Sequence, residues 1–537
     1  MKHKYFALFA LLISIIMVLS ACGGSGNNSA ASSDSTNKSS APAEDNGQPK
    51  DGGSLIIAVS DDPKALNPLY AGDRVTLTIN QALYAPLFNI DNGKKTFVLA
   101  ESETVSPDHK TYTIKLRSGL KWHDGQPITA DDLVFSINSI LDEKQNNPFR
   151  SYYVFNGKSV KVDKVDDLTV NIVLPEVSAA FDGALVQLSP IPEHIFKGEA
   201  DIEKSAKNNN PVGSGPFKFK EYRPGEYVTL DRFDGYFAGK AHLDSVTYRI
   251  AKDPNAANLA LQNGEINMRM VDTQDYKKLK DTGKFNLLVY PEGRLQYMVF
   301  NLNVPSMQDV KVRQAIAYAL DKNEMITASY SSSEFAEPAP SILTPDTLYQ
   351  TGDVEKYDYN LDKAKQLLSE AGVSNLKIRL AYANSNKAQE SQGLYVQQKL
   401  KDAGIEVELL PMDVTAFGNK TLDMNNKDFE LNFGGYIMGF EPDAYKSLFL
   451  SNEAYNYSHY KDPKFDELWN KGAVETDETK RADIYKQIQQ TVANQMTVYP
   501  IAYTQAVVAI DNSYGGIKEA TPKPVVMLED LSKLYKK

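Results

Sequence analysis

The chain has one cysteine in 537 residues, two tryptophans and six histidines. A single thiol excludes any internal disulfide. The histidines (His3, His109, His123, His194, His242 and His459) never fall four apart, so no metal cage is spelled out and no metal or cofactor is expected. There is no phosphate-cradling P-loop, no G-x-G-x-x-G after a strand, no G-x-S-x-G elbow and no H-E-x-x-H. Gly213-Ser214-Gly215 is too short and too turn-like to carry a nucleophile. No enzyme is expected. Positive charge is also scarce: 58 Lys and Arg against 69 Asp and Glu leave a net −11. With no long basic run, nucleic acid is excluded as an expected partner.

Long apolar runs are confined to the start. Lys2 and Lys4 precede an uncharged apolar stretch from Tyr5 to Leu19, shorter than the ~20 residues a spanning helix needs. A basic start, a short apolar core and small residues describe a secretory leader, residues 1–21. Leu19-Ser20-Ala21-Cys22, followed by Gly23 and Gly24, resembles a bacterial lipobox, which implies a lipid on Cys22 and a place on the outer face of the cell membrane. That position also accounts for the one thiol in an exported chain. Residues 22–52 are rich in Gly, Ser, Asn, Ala and Pro and read as a flexible tether. Loss of the leader removes two lysines and no acid, so the mature chain is more acidic still.

The remainder is too long for one core, so two or more α/β domains are expected. Leu55 to Ser60 alternates as a strand, and Val75 to Phe88 reads as a helix. Thr111 to Arg117 is a strand, and Thr129-Ala130-Asp131-Asp132 before Leu133 has the form of a capped helix start. Leu168 to Leu174 is a strand stopped by Pro175. Phe217 to Lys220 and Tyr227 to Leu230 flank Arg223-Pro224-Gly225 as a hairpin. Val246 to Ile250, a helix Asn255 to Gln262 and Ile266 to Met270 form a strand–helix–strand unit of parallel type. Further strands are expected at Phe285 to Tyr290 and Leu295 to Leu302. A second α/β block runs through helices at Val310 to Leu320 and from Asn360 to Gly372, strand Leu376 to Ala383, helix Ala388 to Lys401 and strand Ile405 to Leu410. Helices Lys464 to Gly472 and Arg481 to Ala493 lead to a buried strand, Val498 to Ile510.

Four separated segments resemble one family, the extracellular solute-binding proteins of peptide and nickel ABC importers. They are Tyr112 to Phe135, with Trp122-His123-Asp124-Gly125 at its centre; Pro211 to Phe217 with Asp234-Gly235-Tyr236-Phe237; Asp309 to Ile316; and Gly435 to Asp443. The resemblance implies a two-lobed, periplasmic-binding-protein-like α/β fold with a hinge. Lobe one would take residues 53–90, 201–303 and the returning tail 497–537. An extra subdomain, 91–200, would be inserted in it, and lobe two would take 304–496. It further implies an oligopeptide ligand lying between the lobes as an added strand, handed to ABC permease subunits by a monomeric receptor. Backbone groups of Gly435 and Ile437 would pair with the peptide, with Tyr436 as an aromatic wall. Asp73 and Arg74 match the facing loop, Phe149 and Tyr152 the overhanging subdomain, and Tyr503 the crossing segment. Where relatives place an aspartate for the peptide amine, this chain has Gly439. Glu441 or Asp443 would substitute, although Asp443 also suits a helix N-cap before Ala444 to Leu450. Other cargoes on the same fold are a nickel chelate, haem or an oligosaccharide, and a peptide-pheromone sensor would use the same site.

Several tempting residues have plainer readings. His123-Asp124-Gly125 suits a turn, and Asp131-Asp132 and Asp166-Asp167 suit helix starts and turns. Arg313 suits a structural ion pair, Trp122 and Trp469 suit packing, and Tyr455, Tyr457 and Tyr460 suit a surface loop.

Overall fold

A computed structural model describes residues 49–91 and 93–537. The leader, Cys22 and the tether as far as residue 48 lie outside the described residues. The tether's last residues are tied down: Asp51 accepts from His242 Nδ1 at 2.9 Å and Gly52 N–H donates to the His242 carbonyl at 2.7 Å.

One eleven-stranded sheet runs through the molecule. At one end lies the hairpin Phe217–Arg223 with Tyr227–Arg232, antiparallel as the turn residues dictate. Next come Ser245–Ile250, Ser54–Val59 and Met268–Met270. Ser54–Val59 is parallel to both neighbours, and helix Pro254–Gln262 makes the crossover. At the other end, Lys377–Ala383 lies parallel to both Glu406–Met412 and Leu431–Ile437, with helix Lys387–Asp402 as crossover. The regular parallel units are buried by their helices, as such strands require.

Two long strands join the halves. Phe285–Phe300 pairs antiparallel with Val498–Asp511 from Phe285↔Asp511 to Val299↔Val498. The segments Phe285 to Tyr290 and Leu295 to Leu302, expected as separate strands, are therefore one strand of 16 residues. Pro291 still pairs with Gln505, and Glu292 and Gly293 interrupt the pairing at a register shift instead of ending the strand. Both strands feed the cores on either side. Val508 and Ile510 pack in one cluster with Leu55 and Ile57. Met298 and Phe300 pack in another with Ile316 and Leu380. Each such side chain, removed from water, contributes about 1.5–3 kcal/mol. The fold is two α/β lobes connected by crossing strands.

A separate antiparallel sheet, in the order Ala100–Val105, Thr111–Leu116, Thr169–Val173 and Lys161–Lys164, builds the subdomain. Helix Ala130–Leu141 covers it and opens on a complete capping box, the Thr129 hydroxyl to the helix and the Asp132 carboxylate back to the Thr129 N–H. The helix expected from Val75 to Phe88 is Arg74–Leu83, and Phe88–Asp91 is a strand. Asp73 caps this helix, and Tyr84 is already extended ahead of Pro86, which a helix interior would not tolerate.

Among the described residues Arg313 makes no ion pair. It is buried, and its guanidinium donates to the carbonyls of Met307, Gln308, Gln495 and Met496 at 2.6–3.1 Å. Carbonyls at the ends of two helices, Pro305–Met307 and Glu478–Gln495, serve in place of the expected acid. Trp122 and Trp469 are fully buried packing residues.

Candidate functional site

The strand Leu431–Ile437 pairs on one side with Phe285–Phe300, from Leu431↔Phe300 to Ile437↔Arg294, without interruption. On its other side it meets Lys377–Ala383 only at Leu431 and Asn432. Among the described residues no strand covers Gly434 to Ile437 on that side. The Asn301 N–H donates to the Glu430 carbonyl at 2.9 Å, which sets the alternation of the antiparallel pair. Asn432, Gly434 and Tyr436 then exchange bonds with the crossing strand. The N–H and C=O of Gly435 and Ile437 point to the open edge.

Both glycines are dictated by what lies over them. A Cβ on Gly434 would stand 2.5 Å from the Tyr297 ring, and one on Gly435 would stand 2.9 Å from the Gln296 amide. The crossing strand's side chains fold over the cleft strand and leave no room for larger residues.

The aromatic candidates are held from within. Tyr436 Oη donates to the Ile342 carbonyl at 2.8 Å. Tyr503 Oη donates to the carbonyls of Ser341 and Leu343 at 3.0 and 2.6 Å. Tyr436 also meets Tyr297 and Tyr445 at ring-centroid distances of 5.0 and 5.2 Å. Burial drives both phenols far above their ordinary pKa, so they stay neutral. They brace the segment 341–343 beside the cleft strand.

From lobe one, Asp73 accepts from the Thr76 N–H at 3.0 Å and from its hydroxyl at 2.7 Å, a cap that orients Arg74. Arg74 reaches Glu292 on the crossing strand at 2.9 Å. Glu292 also accepts from Thr504 at 2.8 Å and lies 3.4 Å from Arg294. Two guanidiniums thus share one carboxylate at the register shift beside Ile437. Sequence reading missed Glu292 and Arg294, although the Pro-Glu-Gly-Arg interruption between two apolar runs marks the place. Phe149 and Tyr152 stack at 6.4 Å in the subdomain, with Tyr152 39% exposed.

The two acids differ sharply. Glu441 is buried and paired with Arg481, Oε1 to Nη2 at 2.5 Å, and caps the short helix Pro442–Leu448 by accepting from the Asp443 N–H. Burial pushes its carboxyl above the usual range, against the pull of the guanidinium. Asp443 is the second residue of that helix, so the cap expected of it belongs to Glu441. One Asp443 oxygen pairs with Lys446 at 3.0 Å, and the other is buried with no partner among the described residues.

The subdomain meets lobe two at this corner. The Ala179 N–H donates to the Ala473 carbonyl at 2.8 Å, and a Cβ on Gly183 would touch the Glu441 side chain at 3.4 Å. His123 sits in its expected turn. It accepts from the Gly213 N–H at 3.1 Å, so Nε2 donates to the Gly215 carbonyl at 3.0 Å and the ring is neutral. The turn anchors the subdomain to the Gly213-Ser214-Gly215 loop.

This architecture, two lobes around a strand with one open edge, is that of solute receptors, and comparison with known proteins agrees. Residues 97–457 match the family model of bacterial extracellular solute-binding proteins, family 5. The chain belongs to that family. It is 32% identical to the oligopeptide-binding protein AppA of Bacillus subtilis (strain 168), over 89% of this chain and 91% of that one. The crystal structure of the ABC transporter substrate-binding protein CtaP from Listeria monocytogenes is 53% identical, covers 91% of this chain and all of its own, and superposes with a TM-score of 0.89. AppA from B. subtilis in complex with a nonapeptide is 29% identical by structure alignment, with the same 91% and 100% coverage and a TM-score of 0.76. These relatives are named as binding proteins, none as an enzyme.

Proposed function

We propose that this chain is the oligopeptide receptor of an ABC importer, tethered outside the cell membrane by lipid on Cys22, that captures peptide between its lobes and passes it to membrane permease subunits. The open edge at Gly435 and Ile437 carries the reading. Unpaired backbone groups on a strand bordered by a second lobe invite an extended chain, whose main-chain bonds give affinity without regard to side chains. The relatives named for oligopeptide and nonapeptide binding support it. In this reading Asp443, whose second oxygen has no partner among the described residues, receives the peptide amine. Glu441 does not, since Arg481 occupies it. Arg74, Arg294 and Glu292 line the floor, and Phe149 and Tyr152 form the overhang. Residues 53–90, 201–303 and 497–537 form lobe one, 91–200 the subdomain and 304–496 lobe two. A monomer suffices, because ligand bridging two lobes of one chain supplies the differential binding that closes them.

Native mass spectrometry of the mature domain from peptide-rich medium tests the cargo. Co-purified peptides of similar length are expected. A metal chelate or sugar in their place would overturn the peptide reading and leave the family standing.

A further inference from the structure

A cavity of about 460 Å³ lies where lobe two meets the start of the crossing strand Val498–Asp511, and none of its lining residues comes from the cleft strand or from Glu441 and Asp443. Its walls include Lys322, Asp358, Pro340, Tyr357, Tyr359 and Tyr499. Lys322 opens helix Lys322–Tyr330, and its ammonium lies 4.9 Å over the Tyr499 ring. It donates to the Ala339 carbonyl at 2.6 Å. No carboxylate lies within ion-pair distance of it among the described residues, so two of its three N–H groups remain. Asp358, exposed at the same cavity, makes no hydrogen bond or ion pair among the described residues. The cavity therefore presents a cation and an anion that, among the described residues, form no ion pair with each other or with any other charge, between apolar and aromatic surfaces.

A ligand that is only anionic would face Asp358, Glu355 and Asp321, and one that is only cationic would face Lys322. A small molecule carrying both charges satisfies each end. We infer that this cavity binds a free α-amino acid with an apolar side chain. Its carboxylate would lie on the Lys322 ammonium and its ammonium toward Asp358, with the side chain against Tyr357, Tyr359 and Pro340. The volume suits a molecule of that size and lies at the low end for ligand sites. Burial holds the Lys322 pKa down, to about 8, which a bound carboxylate would reverse.

The test is calorimetric titration of the mature chain with each free L-amino acid, then with the N-acetyl and amide derivatives of any that bind. One or more apolar amino acids should bind at one per chain, and both derivatives should fail. Lys322→Met and Asp358→Asn should each weaken binding by about tenfold or more, while Lys322→Arg keeps most of it. Thermal unfolding of each variant separates loss of the site from loss of the fold, and Asp358→Asn, at an exposed position, stands if Lys322→Met does not fold. No binding by any amino acid at about 5 mM would overturn the inference. So would binding that folded Lys322→Met and Asp358→Asn chains retain unchanged.

Discussion

Glu441 and Arg481, forty positions apart in sequence, meet in a buried pair at 2.5 Å, with 8% and 5% of their side chains exposed. Arg481 also donates to the Gly472 carbonyl at 2.9 Å, so the pair links the cleft corner to two lobe-two helices, Pro463–Val474 and Glu478–Gln495. Removing one member strands the other charge in a dry site. Glu441→Gln or Arg481→Met should cost about 3–5 kcal/mol in urea unfolding, and a cost below about 1 kcal/mol would show that the pair is solvated in solution.

His123 gives the fold a dependence on acid. Burial lowers its pKa to about 4 from 6.5, so the folded ring stays neutral where the unfolded chain takes up a proton. The unfolded state binds more protons between about pH 6.5 and 4, and stability falls as pH falls through that window. The full shift corresponds to about 3 kcal/mol. Unfolding midpoints at pH 7 and 4.5 should show the wild type losing about 2–3 kcal/mol more than His123→Gln. An equal loss in both would place the acid sensitivity elsewhere.

Gly435→Val puts a branched side chain where a Cβ already stands 2.9 Å from Gln296, and so displaces the edge that the peptide is proposed to use. Two backbone hydrogen bonds are at stake, worth about 0.5–1.5 kcal/mol each. Peptide affinity, measured by calorimetry, should drop by about tenfold to a hundredfold while the fold persists.

Asp443→Asn should weaken binding of a peptide with a free amine by about tenfold or more and leave its N-acetylated counterpart unchanged. Equal losses for both peptides would mean that Asp443 supports the helix Pro442–Leu448 and does not meet the amine.

Local chemistry was legible in the sequence where it is local in the chain. The capping box of Thr129 and Asp132, the hairpin around Pro224 and Gly225, and the parallel unit across Pro254–Gln262 follow from neighbouring residues. The resemblance supplied the two-lobed arrangement and the Gly435 to Asp443 segment. What pattern could not supply depends on distant partners. Pro291 and Gly293 read as a strand end, yet pairing with Val498–Asp511 carries the strand through them. Arg313 sits among carbonyls whose position only the folded chain sets. Asp443 and Glu441 look alike in sequence, and Arg481 alone distinguishes them. The pairing of Arg74 with Glu292 joins residues 218 apart.

Amide hydrogen exchange of the cleft strand, with and without a bound peptide, tests the central proposal most directly. The N–H groups of Gly435 and Ile437 should exchange readily in the empty protein and become protected by about a hundredfold or more when peptide is bound, with Gly434 and Tyr436 protected in both states. Tight peptide binding that leaves Gly435 and Ile437 exchanging as before would contradict the account, since the peptide would then be held somewhere other than the open edge.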